Sequence, residues 1–113
     1  MDKKAILENR DDLVDGTFCY ELFELRIFNE KLFFELVDGI DAYLASMRDG
    51  GERLDQEMSI FLPWFVMGVM HCVICHNDRN DRYVIESFDM DSWYGDYEGR
   101  LSSVLTKCFA LMK

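Results

Sequence analysis

From Met58 to His76 the chain contains no Asp, Glu, Lys or Arg, although 30% of its residues are charged. The run is too long for an ordinary strand, and its apolar residues fall on every side of a helical wheel. A helix that is apolar all round belongs in an interior. The run therefore reads as the central helix of a small domain, with amphipathic neighbours wrapped around it. A membrane span needs about 20 predominantly apolar residues. This stretch falls short of that and carries Ser59, Pro63, His71 and His76, so a core helix is expected and a membrane partner is not.

With 113 residues, the chain is expected to form one domain, 1–113, large enough to bury a core without staples. Half of it is hydrophobic, which argues against disorder. Twenty-two acidic residues against 12 basic ones leave a net charge of −10. That charge repels nucleic acid and anionic membranes and steers basic proteins inward, although acidity also serves solubility alone. The first residues, Met1 to Asp12, carry no apolar signal segment, and a cytoplasmic location is expected. Cys19, Cys72, Cys75 and Cys108 are then reduced thiols that behave as small hydrophobes.

Around the central run the pattern is helical. Asp2 to Asp15 is a short amphipathic helix ending at Gly16, with Thr17 placed to cap the next one. Leu22, Leu25, Asn29, Leu32, Leu36, Gly39 or Ile40, Tyr43 and Met47 follow a three-four spacing, widened by Phe18, Phe23, Phe28, Phe33 and Phe34. The stripe wraps too far round for one straight helix, so a break at Phe28-Asn29 is expected, with Asn29 as a cap. A strand over 18–28 is the competing reading, but clean alternation is missing. Arg48-Asp49-Gly50-Gly51 is a break. Pro63 sits in the first turn of a helix starting near Ser59, or kinks a longer one. Asn77 to Asp81 ends that helix; residues 83–88 stay open between helix and strand, and Asp89 to Gly99 between a loop and the start of a helix. Arg100 to Met112 is a final amphipathic helix. The fold class is all-α, a small bundle of roughly four to six helices around the buried central helix, with α+β as the alternative.

Cys72-Val-Ile-Cys75-His76 has the spacing of covalent haem attachment. It lies in an apolar helical run without an export signal, which argues against haem. On a helix Cys72, Cys75 and His76 share a face, so a zinc site completed by Cys19 or Cys108 is a second reading. Two buried thiols with two histidines near a helix end are the simpler account. Asp89-Met-Asp91 begins like a calcium loop, but glycine is missing at position six and Arg100 stands where the closing glutamate is needed. No phosphate-binding loop, dinucleotide fingerprint or nucleophile elbow is present. No cofactor and no enzymatic activity are expected.

The stretch Glu86 to Glu98 holds five carboxylates and no basic residue, interleaved with Trp93, Tyr94 and Tyr97. Aromatic rings anchor interfaces, and carboxylates steer and pair with Lys or Arg on a partner. Either the rings face outward to do this, or they fold inward as core while the acids solvate the turn.

In this stretch, and in its small size and acidity, the chain resembles bacterial toxin-immunity proteins of the colicin-nuclease and contact-dependent growth inhibition types. The resemblance is one of composition and character around Trp93-Tyr94-Gly95-Asp96-Tyr97-Glu98. It implies a stoichiometric inhibitor that binds and neutralises a cognate basic nuclease toxin, covering its cleft or an adjacent exosite. Asp89, Asp91, Trp93, Tyr94, Asp96, Tyr97 and Glu98 are then the contact residues, with Glu30, Glu35 and Asp38 widening the footprint. The alternatives are a haem- or metal-binding protein using Cys72, Cys75 and His76, or a homo-oligomeric adaptor, for which a homodimer is the simplest form.

Overall fold

Short polar side chains start most of the helices by taking up an otherwise unbonded amide. In the computed structural model, which describes residues 1–10, 14–86 and 88–112, Asp2 accepts from the Ala5 amide at 2.8 Å and opens α1 (Lys3–Leu7). Thr17 accepts from the Tyr20 amide and opens α2 (Phe18–Phe23). Asn29 accepts from the Leu32 amide and opens α3 (Glu30–Asp49). Asp55 does the same for Met58 and opens α4 (Gln56–Asn77). Asp89 opens a short α5 (Met90–Ser92), which runs through a π-helical turn, Trp93–Tyr97, into α6 (Glu98–Ala110).

The fold is thus an all-α bundle, and the expected break at Asn29 is present. Among the described residues there is no strand, only an isolated parallel bridge between Ile27 and Glu86. Residues 83–86 are neither helix nor strand. They are pinned by the Glu86 amide donating to the Arg26 carbonyl at 2.8 Å and the Ile85 amide donating to His76 Nδ1 at 3.0 Å. Ser87 lies outside the described residues.

The first helix is shorter than its apolar spacing suggested. It gives way to a 3-10 turn at Glu8–Arg10 because Asn9 is buried and bonded to both sides. Its amide group donates to the Ile6 carbonyl, and its oxygen accepts from the Cys19 amide at 3.1 Å. Asp11 to Leu13 lie outside the described residues. Gly16 takes a φ of +88° in the turn before α2, a left-handed conformation that glycine adopts without a steric penalty. It serves a turn there, not the end of a long helix.

α4 is the longest helix, and it starts at Gln56, so Pro63 is interior to it. Met58, Phe61, Leu62, Phe65, Val66, Val69, Cys72 and Val73 face the core. α2 and α6 pack against α4, and α6 also packs against α3. The centre of the core is aromatic: the Phe18 ring meets those of Phe28, Phe33 and Phe65 edge-on, with centroids 5.2 to 6.0 Å apart. Arg100 on α6 pairs with Asp38 and Asp41 of α3, and Lys107 with Asp41. These pairs, with Arg100 and Asp41 half-buried and Asp38 and Lys107 exposed, fix the seam more than they stabilise it.

The expectation that α4 is buried on all sides needs correction. Ile60, Trp64, Met67, Met70 and Ile74 are exposed, and fewer than half the residues of its apolar stretch are buried. A helical wheel without charge shows that no face is specialised for water. It does not show that enough neighbours exist to cover every face, and here the bundle leaves one face open. By length and composition alone α4 could cross a bilayer, although its other face is packed into the bundle.

Candidate partner-binding surface

The acidic-aromatic stretch is helical, with a local change of register. The Glu98 amide donates to the Trp93 carbonyl, five residues back, which is the π-helical pattern. Such single π turns inside α-helices occur frequently at functional sites. The turn sets Trp93 and Tyr97 on the inner side and leaves Tyr94 outside. Trp93 and Tyr97 are buried, whereas Tyr94 is 65% exposed.

This corrects the expected contact set. Trp93 packs near Phe88, with centroids 6.3 Å apart. Tyr97 stacks on Phe28 and meets Phe33 edge-on. Its hydroxyl donates to the Glu30 carboxylate. Burial, reinforced by that carboxylate, pushes the Tyr97 hydroxyl up to about 12 from its ordinary 10. Both rings face the core from the inner side of the π turn. Neither is available to a partner in this fold.

Around Tyr94 the chain keeps an acidic exterior. Glu86, Asp89, Asp91, Asp96 and Glu98 are all exposed. Asp89 also works locally, accepting from the Asp91 amide and the Ser92 hydroxyl. The three acids expected to widen the footprint, Glu30, Glu35 and Asp38, are all exposed on α3, but only Glu35 is without one of the two contacts that follow. Glu30 is engaged by Tyr97, and Asp38 by Arg100.

Tyr94 and Glu98 also line a shallow recess with Met70, Val73, Ile74 and Met90. The acidic turn therefore runs directly into the open face of α4. Sequence reasoning missed this continuity. A run apolar on every side does not announce which part lacks a neighbour, and positions 60, 64, 67, 70 and 74 are told from the rest only by their exposure in the fold.

The cysteine-histidine motif is arranged differently from a ligand set. Cys72 is buried, and burial pushes its thiol up, away from the thiolate a metal needs. His76 accepts the Ile85 amide through Nδ1, and its ring lies edge-on to Phe88. His71 Nε2 lies 3.7 Å from Cys75 Sγ. Among the described residues no three His, Cys, Asp or Glu side chains converge as metal ligands would.

No family model matches the chain, and no curated protein or solved structure matches it significantly.

Proposed function

We propose that the protein is a stoichiometric inhibitor that binds a basic protein, and that its partner is a cognate nuclease toxin, as for an immunity protein. The observation that carries this reading is Tyr94, a well-exposed ring on a π-helical turn among five exposed carboxylates and no basic residue. An exposed tyrosine supplies a rigid, amphipathic contact at low entropic cost. The surrounding acids complement Lys and Arg and raise the rate of encounter. The contact residues are Asp89, Asp91, Tyr94, Asp96 and Glu98, with Glu35 as an outlying acid.

Inhibition of this kind needs no chemistry from the inhibitor. A nuclease must present cations to bind phosphates, and an anionic surface of matching shape occupies that cleft or screens it. The test is co-expression with the product of the adjacent gene, where this reading expects a basic toxin. The expected result is a one-to-one complex and relief of that protein's toxicity. Separate migration of the two proteins with undiminished toxicity would overturn the reading.

A further inference from the structure

The open face of α4 has a symmetry of its own. Outward from Met67, which is 67% exposed, come Trp64 and Met70 at 40% each, then Ile60 and Ile74 at 64% and 65%. These five apolar positions lie at Met67 and three and seven residues to either side of it, so their spacing and exposure are the same read in either direction, while exposed His71 on this face mirrors half-buried Pro63. Ile60 to Ile74 spans about 21 Å of helix, and no charged residue lies within it. Together these side chains expose apolar surface on the order of 600 Å², at the top of the usual range for a monomer's largest patch.

We propose that this face is an isologous interface with a second copy of the chain, the two α4 helices lying antiparallel about a two-fold axis at Met67. A two-fold contact requires one patch that complements itself. In this register Ile60 meets Ile74 of the second copy, Trp64 meets its Met70, and the two Met67 side chains meet on the axis. Thioether against indole is a favourable pairing. Two such patches together reach the lower end of the roughly 1,200–2,000 Å² that specific interfaces bury.

At the Ile60 end, Arg10 lines a recess with Ile60 and Trp64 and is paired with Glu57. At the Ile74 end, Glu98 and Tyr94 line the recess with Met70 and Ile74. Antiparallel pairing brings this Arg10–Glu57 pair of each copy to the Glu98 end of the other. The net charge of −10 on each copy opposes association at long range, so added salt strengthens the dimer. Binding of a basic partner responds in the opposite direction. The dimer face borders Tyr94 and Glu98 of the proposed toxin surface, and the opposite salt responses tell the two associations apart.

The test is sedimentation equilibrium of the whole chain, with helicity checked by circular dichroism. Wild type is expected to sediment as a dimer whose dissociation constant falls at least several-fold between about 50 mM and about 500 mM salt. Ile60→Lys and Ile74→Glu, each alone, weaken it at least tenfold, because each buries unpaired charges against an apolar side chain. The double variant Ile60→Lys with Ile74→Glu pairs opposite charges twice across the axis and recovers most of the loss. A monomeric wild type, a dimer insensitive to both single changes, or no recovery in the double variant overturns the proposal. Partition of the wild-type chain into neutral lipid vesicles in place of self-association also overturns it, assigning the face to a membrane.

Discussion

The ring of Tyr97 stacks on that of Phe28 with centroids 4.6 Å apart and planes inclined by 27°. That contact ties the π turn to the centre of the core, and it explains why Tyr94, three positions earlier, faces out. One turn thus carries two tyrosines with opposite duties.

Substitution should separate those duties. Tyr97→Ala removes a buried ring and is expected to cost about 3–5 kcal/mol of stability, the range for large aromatic truncations in cores. Tyr94→Ala is expected to stay within about 0.5 kcal/mol of wild type, as exposed substitutions do. Urea unfolding of the two variants measures both. Equal losses would mean that Tyr94 is also a packing residue.

Asn9 offers a second check on the core. It is buried, it accepts from the Cys19 amide, and it donates to the Ile6 carbonyl. Asn9→Ala takes the acceptor from the Cys19 amide, and removing one partner of a buried hydrogen bond costs about 1–3 kcal/mol. The loss should appear as a lower urea midpoint with an unchanged slope. An unchanged midpoint would mean that Asn9 does not hold α1 to α2.

Much of this architecture was legible in the sequence, for local reasons. Thr17 and Asn29 are short polar side chains placed one residue before apolar runs, and their capping role depends only on neighbours within three residues. The final helix was readable from the spacing of Leu101, Val104 and Cys108, all of which are buried. What was not legible depended on distant packing. The length of α1 is set by Asn9 bonding to Cys19. The π turn, which sends Trp93 and Tyr97 inward, is a register shift that no residue spacing specifies. The open face of α4 depends on how far α2 and α6 reach, which the α4 sequence does not contain. Two of the three rings expected at the partner surface were therefore misplaced, while the acids around them were placed outside correctly.

Alkaline stability carries the signature of the buried tyrosines. Burial and the Glu30 carboxylate raise Tyr97 to about 12, and burial and the Asp55 carboxylate raise Tyr43 to about 12. Because both values lie above the ordinary 10, the fold prefers the protonated hydroxyls. Their contribution is fully present below pH 10 and is lost as pH rises from 10 to about 12. Unfolding free energy followed with tyrosinate absorbance should fall across that window. The fall should be shallower in the double variant Tyr43→Phe with Tyr97→Phe. A stability independent of pH up to about 12, with all tyrosines titrating freely at 10, would contradict this placement.

The most direct measurement is calorimetric titration of the product of the adjacent gene, expected to be a basic toxin, into wild type and into Tyr94→Ala at two salt concentrations. Wild type is expected to bind one-to-one, with affinity falling as salt rises. Tyr94→Ala should lose about 2 kcal/mol of binding or more, the scale of an interface anchor. No heat of binding, or an affinity that neither salt nor the loss of Tyr94 alters, would contradict the proposed role of this surface.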